Sequence, residues 1–516
     1  MPIGWRTVRK LVGTARRGLS VIVPGLRRAT STRIRFPRVA LGPRGRPFLD
    51  GLCAALADED VRFFRGCARD EWAGGINLQS DDFGQVMRVA DEIAGRTGCE
   101  IFFNQQNTVY HTRAAFEKGV TDPLYFSILV VERDHEGVRF CSYVDVHLWR
   151  KERSYGSNEY YTSSSTAPVV SRLRGEAMSA LLETTADLSR DRDEILQTAR
   201  FPIDVVYTWV DDTDPDWLAR KDAAAPDKGG GGRSTHPERF RNRDELKYSL
   251  RSLDMFAPFV RKIFIVTADQ VPDWLDTDHP QVEVVSHSRI YRDDAVLPTF
   301  NSRGIESQLH HIPGLSEHFL YFNDDFMLGA FCTPDDFFHS NGAMMFFPSE
   351  QVAYEPDIDS RREAYIVADA NVIRLMKRDH GRFSRAIMKH APYPSRRSLL
   401  EDLERRYQAE FDACAANRFR ADTDIRAIAF MQYNFGYAEC LAYPSNISHR
   451  YLALWKETIA NQLAGVLRRR TFKTLCINDV GVPADRVAEV DALVDDFLRS
   501  YFPFPSPFEK DRVQDG

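Results

Sequence analysis

Apolar residues recur at two different spacings along the chain, one typical of strands and the other of helices. Between residues 138 and 148 apolar residues occupy every second position except Ser142, which predicts a half-buried strand, and residues 125–132 predict another. Between residues 83 and 93 apolar residues recur every three or four positions, as they do on one face of a helix. We therefore predict an accessory α/β domain over residues 48–200.

After residue 200, short β-branched or aromatic runs alternate with a helical pattern. Strands that alternate with helices are typical of a largely parallel sheet. Beyond residue 345 the apolar stripes have helical spacing, so residues 345–470 are predicted to be largely helical. The predicted fold class is α/β, with a catalytic domain over residues 201–510. The predicted strands cover 203–210, 262–267, 282–286 and 318–322, and the predicted helix covers 244–256.

The first 47 residues form a basic arm with twelve Lys and Arg and no acidic residue. Apolar residues at helical spacing lie among these bases, so the arm is suited to lie on an anionic membrane surface. The alternative is a disordered basic arm. The longest apolar stretch, Leu19–Leu26, is too short to span a bilayer.

Net charge and cysteine spacing argue against a nucleic-acid binder, a zinc site and a disulfide framework. The net charge of −6 over 516 residues argues against a nucleic-acid binder, so we expect no nucleic-acid partner. The eight cysteines are scattered without the paired spacing of a zinc site or a disulfide framework. Reduced thiols fit a cytoplasmic protein, peripheral to the inner face of the bacterial plasma membrane if the arm binds there.

Candidate chemistry begins where an apolar strand runs into paired acids at Tyr321-Phe322-Asn323-Asp324-Asp325. Ligands of open α/β sheets bind beyond the carboxyl ends of the strands. Two carboxylates at this place form a natural Mg²⁺ or Mn²⁺ site, because these cations prefer oxygen ligands and bridge phosphates. The alternative is a turn whose acids cap a helix.

Two further segments carry weaker signals. The segment 204–212 has one acid before a strand and two after it, with Tyr207 and Trp209 inside the strand. This pattern is suited to hold a nucleotide. The alternative is an ordinary sheet edge followed by a turn. The segment 239–247 places basic and amide groups ahead of a helix, where phosphate binds well. There, Asp244 and Glu245 would alternatively cap the first turn of that helix.

Taken together and in this order, the segments resemble the Stealth family. That family includes the α/β subunits of the animal GlcNAc-1-phosphotransferase and bacterial capsule hexose-1-phosphate transferases. The resemblance covers residues 201–510, about three-fifths of the chain. The motifs that carry it are IDVVYTWVDDTDPD at 203–216, RFRNRDELKY at 239–248, LYFNDDFMLG at 320–329, KHAPYP at 389–394, NRFRADTDI at 417–425, LCINDVG at 475–481 and YFPFPSPFEK at 501–510.

The resemblance implies a glycosyltransferase-A-like core that binds a UDP-sugar donor, a glycan acceptor and a divalent cation, Mg²⁺ or Mn²⁺. It implies that an acceptor hydroxyl attacks the β-phosphorus and that UMP leaves. By matching position, Asp324 and Asp325 would hold the cation, His390 would be the general base, and Arg420 would stabilise the transferring phosphoryl group. The remaining expected substrate-binding residues are Asp204, Tyr207, Trp209, Asp211, Arg241, Asn242, Glu245, Glu306, His310, Asn323, Asn478 and Asp479.

This chain also departs from the animal members. Asp211-Asp212 stands where they have Asn-Gly, and Asn301-Ser302-Arg303-Gly304 replaces their Ser-Ser-Pro-Ala. The animal enzyme's membrane spans and accessory modules have no counterpart, which favours a bacterial enzyme of capsule, exopolysaccharide or cell-wall glycan synthesis. Two alternatives stay open: a metal-dependent glycosyltransferase that releases UDP, and a non-catalytic glycan-binding protein.

Overall fold

A computed structural model describes most of the chain as two compact units, residues 1–195 and 196–516. Among the described residues, no helix is both long enough and apolar enough to cross a membrane. The basic arm before residue 45 lies outside the described residues, so the prediction of its membrane contact stays a prediction. The described residues are 45–65, 74–105, 108–120, 123–133, 139–152, 158–162, 172–184, 199–225, 243–353, 364–479 and 481–510.

The first unit is a mixed sheet covered by helices. Its two long central strands are the predicted ones, and both run somewhat further than predicted. The sheet order is β1-β2-β6-β5-β3-β4, with β7 and β8 continuing from β6. The elements are α1 (Gly45–Asp58), β1 (Phe63–Arg65), β2 (Gly74–Gln79), α2 (Phe83–Thr97), β3 (Glu100–Gln105), β4 (Thr108–Tyr110), α3 (Arg113–Gly119), β5 (Tyr125–Arg133), β6 (Arg139–Lys151), β7 (Glu159–Tyr161), β8 (Arg172–Arg174) and α4 (Gly175–Glu183).

The second unit is built on a five-stranded sheet with the order β11-β10-β9-β12-β17. The first four strands are parallel and the last is antiparallel. Their runs of Val, Ile, Phe and Tyr are buried on both faces, as a parallel sheet requires. The mixed α/β class is therefore confirmed. The elements that form this half are β9 (Ile203–Thr208), α5 (Pro215–Ala224), α6 (Glu245–Phe256), β10 (Val260–Thr267), β11 (Val282–Ser286), α7 (Ser302–Glu306), β12 (His318–Asn323) and β13 (Phe326–Leu328).

The rest of the second unit mixes helices with short strands. The stretch predicted to be largely helical also contains short strands of three to five residues, and such strands are too short for their periodicity to be seen in the sequence. A second sheet with the order β13-β20-β19 joins the end of the chain to its middle. The elements are β14 (Met344–Phe346), β15 (Pro348–Val352), α8 (Ala364–His380), β16 (Ala386–Met388), β17 (Tyr393–Arg396), α9 (Arg397–Arg406), α10 (Gln408–Ala416), α11 (Gln432–Ala438), β18 (Ala442–Pro444), β19 (His449–Ala453), α12 (Ile459–Arg469), β20 (Thr474–Asn478) and α13 (Val487–Tyr501).

Candidate active site

The paired acids lie in the tight connection between the two sheets of the second unit. Strand β12 ends at Asn323, and β13 begins at Phe326, so Asp324 and Asp325 form the turn at the carboxyl edge of the parallel sheet. Strand β20 pairs antiparallel with β13, and the Ile477 amide donates to the Asp325 carbonyl at 3.0 Å. This pairing brings the end of β20 to the same edge.

Two more carboxylates converge on this turn from distant parts of the chain. Glu245 is the first residue of α6, and Asp479 directly follows β20. The Arg243 guanidinium connects them, because its Nη1 atom donates to Asp479 Oδ2 at 2.8 Å and lies 3.6 Å from Glu245 Oε1. The Arg243 amide also donates to Glu245 Oε2 at 2.6 Å. Of the two helix-capping candidates, Asp244 makes no side-chain cap bond.

Burial and mutual repulsion raise the pKa of three of these acids, Asp324, Asp325 and Glu245. Burial raises the pKa of Asp324 to about 7, and the charge of Asp325 adds to the rise. Burial also raises the pKa of Asp325 to about 7 against the hydrogen bond from the Cys476 thiol, and the charge of Glu245 adds to it. Glu245 responds in the same way, with a pKa raised to about 7 by burial and by Asp324. Carboxylates that repel one another in this way create a strong demand for a cation.

The donor set of this cluster fits Mg²⁺ or Mn²⁺. Its side chains offer carboxylate oxygens, and the neighbouring Asn323 and Asn478 add amide oxygens that also line the cavity. Hard divalent cations take oxygen ligands of this kind and keep several water molecules or substrate oxygens. Asp324 and Asp325 are therefore the residues suited to hold such a cation, with Glu245 and Asp479 nearby. Among the described residues, no three of these acids bring their oxygens within 4.8 Å of one another, so water or substrate oxygens would complete the coordination.

The acids open into a cavity of about 870 Å³. It brings together ten of the residues that the sequence predicts for the site, from segments up to 270 residues apart in the chain. These residues are Trp209, Glu245, Glu306, Asn323, Asp324, Asp325, His390, Arg420, Asn478 and Asp479.

The same cavity has a cationic wall, formed by Arg303, Arg420 and Arg426. His390 lies beside the Tyr451 ring, with 5.3 Å between ring centroids. Burial, assisted by the charge of Arg426, lowers the pKa of His390 to about 4, so its imidazole is neutral at physiological pH. Arg420 Nη2 donates to the Ser302 hydroxyl at 2.9 Å. The cavity therefore combines oxygen ligands with a neutral imidazole and guanidinium groups.

Two predicted residues lie away from the cavity, which corrects the expectation that they contact the nucleotide sugar. Asp204 is fully buried near the amino end of β9, where Arg261 donates to both of its oxygens at 2.8 and 2.6 Å. The Ser316 amide donates to the same carboxylate at 2.7 Å. Tyr207 is buried in the sheet, and its hydroxyl forms a 2.7 Å hydrogen bond with Ser249. Both side chains support the fold.

Two other predicted residues, Asp211 and His310, are not among those that line the cavity. Asp211 shapes the turn after β9, because its Oδ1 atom accepts from the amide and the hydroxyl of Thr213 at 2.9 and 2.7 Å. His310 points to Glu404 of α9, with 3.0 Å between Nε2 and Oε2. Arg241 and Asn242 lie outside the described residues, so their predicted contacts stay predictions.

Two arginines that line the cavity, the buried Arg303 and the half-buried Arg426, are absent from the predicted site residues. Arg426 donates to both oxygens of Asp369 in α8 at 3.1 Å, and Arg303 lies 3.4 Å from Asp424. These cations surround Glu306, whose pKa is nevertheless raised by burial. One signal was available, because Asp369 interrupts the apolar run of α8, and a buried acid needs a charged partner.

All four conserved regions of Stealth proteins match this chain, in order. Conserved region 1 matches residues 201–229, region 2 matches 239–346, region 3 matches 389–435 and region 4 matches 464–515. The chain belongs to the Stealth family. The residues that converge on the cavity come from all four regions, so the Stealth motifs and the site occupy the same part of the fold.

Curated relatives of this Stealth chain carry a common name. The exopolysaccharide phosphotransferase SCO6023 of Streptomyces coelicolor is 43% identical over 350 residues, which cover 67% of this chain and 59% of that protein. The exopolysaccharide phosphotransferase CpsY of Mycobacterium tuberculosis is 36% identical over 317 residues, which cover 60% of this chain and 58% of that protein. The chain thus spans little more than half the length of these relatives.

A solved structure is also similar to the Stealth chain, at a low level. Mouse xyloside xylosyltransferase 1 matches with a TM-score of 0.27 and 10% sequence identity, covering 55% of this chain and 100% of that one. A TM-score this low does not establish a shared fold.

Proposed function

We propose that this protein transfers a hexose-1-phosphate or N-acetylhexosamine-1-phosphate from a UDP-sugar to a hydroxyl group of an acceptor glycan, with release of UMP. The process it serves would be exopolysaccharide, capsule or cell-wall glycan synthesis. The observation that carries the proposal is the convergence of four carboxylates and a cationic wall on one cavity built from the Stealth regions. The names of the relatives support the same reaction class.

The carboxylate side suits the diphosphate of the donor. Asp324 and Asp325 would hold a divalent cation, which neutralises phosphate charge when it is bound, and Glu245 and Asp479 would add negative charge beside it. Thr208 and Trp209 continue the cavity from the end of β9, with Phe300 as a further aromatic wall. This apolar end is suited to the uracil and ribose, because aromatic faces bind planar bases by stacking.

The cationic side suits the transfer itself. The acceptor oxygen would form a bond to the β-phosphorus, and the bond from that phosphorus to the oxygen bridging the α-phosphorus would break, so that UMP leaves. The neutral His390 imidazole would take the proton of the acceptor hydroxyl. Arg420, with Arg426 behind it, would stabilise the negative charge on the transferring phosphoryl group. This reaction depends on positioning and charge rather than on a covalent enzyme intermediate.

Identification of the nucleotide product tests the proposal. The purified chain is incubated with a UDP-sugar, Mg²⁺ and glycan fragments, and the nucleotides are separated. We expect UMP, with turnover reduced roughly 10²–10⁴-fold in His390→Gln, the range typical of a lost general base. The exposed His339 provides a matched control, and His339→Gln should keep full turnover. UDP as the sole product would instead identify a glycosyltransferase, and binding of glycan without turnover would identify a binding protein.

The basic arm carries a separate proposal. Residues 1–47 would hold the enzyme at the inner face of the plasma membrane through their arginines, close to lipid-linked glycans. Deletion of these residues should abolish binding to vesicles that contain anionic lipid while turnover on soluble acceptors persists. Raised salt should weaken binding of the full chain. Equal vesicle binding with and without the arm would refute this role.

A further inference from the structure

Two adjacent histidines and a glutamate form a compact cluster apart from the cavity. His310 and His311 lie in a short 3-10 turn, Leu309–His311, and Glu404 belongs to α9. One candidate ligand atom from each residue lies within 4.8 Å of the other two. His310 and Glu404 are buried, whereas His311 is half-buried. His310 was predicted to contact the substrate, but it lies in this cluster instead.

The spacing of the ligand atoms is close to that of a tetrahedral metal site. The Nε2 atoms of His310 and His311 both lie 3.0 Å from the same oxygen, Glu404 Oε2. Ligands about 2.0 Å from a tetrahedral Zn²⁺ ion are separated from one another by roughly 3.3 Å. The two distances to Glu404 Oε2 are therefore within a few tenths of an ångström of ligand spacing, and one ligand atom from each of the three residues lies within 4.8 Å of the others.

One imidazole is already oriented as a metal ligand. His311 Nδ1 lies 2.8 Å from the Ile290 carbonyl, which can only accept, so Nδ1 carries the proton. The Nε2 atom faces Glu404 Oε2, which can also only accept, so Nε2 donates a proton to it. A metal ion would displace that proton while the Nδ1 bond keeps the ring in place, as is usual for metal-binding histidines. Within the described part of the chain, His310 Nδ1 has no hydrogen-bond partner, so ligation through its Nε2 would cost no bond at Nδ1.

A surface cation now occupies the position next to these ligands. Arg292 Nη2 lies 2.6 Å from Glu404 Oε2 and 3.2 Å from His311 Nε2. The Arg292 side chain is 62% exposed, so it can turn into solvent without loss of packing. A metal ion that approaches from this side would take the place of the guanidinium and meet both imidazoles and the carboxylate.

We propose that His310, His311 and Glu404 form a binding site for Zn²⁺, with Arg292 as the competing cation and water as the fourth ligand. Two imidazoles and one carboxylate are a set that Zn²⁺ takes readily, whereas the all-oxygen acids of the cavity suit Mg²⁺. The metal would tie α9 to the 3-10 turn that follows α7. Because α7 contributes Ser302 and Glu306 to the cavity, the site would brace one wall of the cavity from behind.

Metal analysis separates this site from the cavity. The full chain is stripped with a chelator, loaded with Zn²⁺, passed over a desalting column and analysed for bound metal. Asp325→Asn serves as the background, so that the acids of the cavity bind weakly. We expect about one Zn²⁺ per chain in this background and loss of that ion on adding either Glu404→Gln or His311→Gln. His339→Gln, at an exposed histidine elsewhere, should change nothing.

A second variant keeps the test valid if substitution of the buried Glu404 impairs folding. Arg292→Gln removes the competing charge at the surface, and we expect Zn²⁺ to bind roughly tenfold more tightly, the size of effect expected for one nearby like charge in partly solvated surroundings. Co²⁺ in place of Zn²⁺ should give the intense visible absorption of a tetrahedral site with imidazole ligands. The proposal is overturned if Zn²⁺ binds equally to the His311→Gln chain, or if Arg292→Gln leaves the affinity unchanged.

Discussion

Replacement of Asp325 by Asn should stabilise the protein when no divalent cation is present. In the folded chain, burial and neighbouring acids raise the pKa of Asp325 to about 7. In the unfolded chain the same carboxyl group has its ordinary value. The folded state therefore binds the proton more tightly, so the free energy of unfolding falls as the pH rises from about 4 through 7. At about pH 8 the folded protein contains repelling carboxylates, and Asn removes one of them.

The size of the effect follows from the displacement of the pKa. A rise from 3.8 to about 7 corresponds to ~4 kcal/mol at 1.36 kcal/mol per pH unit. Asp325 is partly open to the cavity, and Glu245 and Asp479 share the repulsion, so we expect roughly half of this, about 2 kcal/mol. The Cys476 thiol, which donates to Asp325 Oδ2 at 3.3 Å, can still donate to the Asn side-chain oxygen.

Urea unfolding measures this difference directly. The original chain and Asp325→Asn are unfolded at about pH 8 and about pH 5, first with a chelator and then with excess Mg²⁺ or Mn²⁺. We expect the variant to be the more stable at about pH 8 with chelator and the advantage to shrink at about pH 5, where the folded Asp325 is largely protonated. Added metal should stabilise the original chain and have little effect on the variant. Asp485→Asn, at an exposed acid, is the matched control.

Two outcomes would refute this reasoning. If Asp325→Asn destabilises the metal-free protein at about pH 8, a favourable contact of the Asp325 carboxylate outweighs the repulsion by the neighbouring acids. If metal stabilises the original chain and the variant equally, the cation binds somewhere other than at the paired acids.

Three further predictions concern single side chains. Asp204→Asn should lower the free energy of unfolding by about 3 kcal/mol in urea titrations, because it leaves Arg261 without its buried partner, while turnover per folded molecule stays unchanged. Tyr207→Phe should cost about 1 kcal/mol through the lost hydrogen bond to Ser249, again with turnover intact. Arg420→Gln should reduce kcat roughly 10²-fold without a matching loss of stability, and a kcat equal to that of the original chain would remove Arg420 from the reaction.

The parallel sheet and the acidic turn were accessible from the sequence because both are local signals. Each strand of the sheet appears in the sequence as a short apolar run, and Asp324 follows β12 directly. The same strand pattern could have shown that Asp204 lies far from the acidic turn. Asp204 pairs with Phe319 near the amino end of β12, five residues before Asp324, so the two acids lie roughly 17 Å apart along the strands at 3.3 Å per residue.

Other features depend on contacts that no local pattern encodes. Tyr207 and Thr208 are neighbours on β9, yet alternation of the strand buries the first and exposes the second to the cavity. Arg426 meets Asp369 across 57 positions of sequence, and His310 meets Glu404 across 94. Periodicity gives the faces of helices and strands but not which faces meet, so these partners become visible only in the folded chain.

The fate of the β-phosphorus tests the central claim most directly. A UDP-sugar labelled with radioactive phosphorus at the β-position is incubated with the chain, Mg²⁺ and an acceptor glycan, and the label is followed into nucleotide and glycan. Cleavage at the β-phosphorus predicts that the label enters the glycan together with the sugar, and that Asp325→Asn abolishes this transfer. Label that stays entirely with the nucleotide while the sugar is transferred would contradict the account.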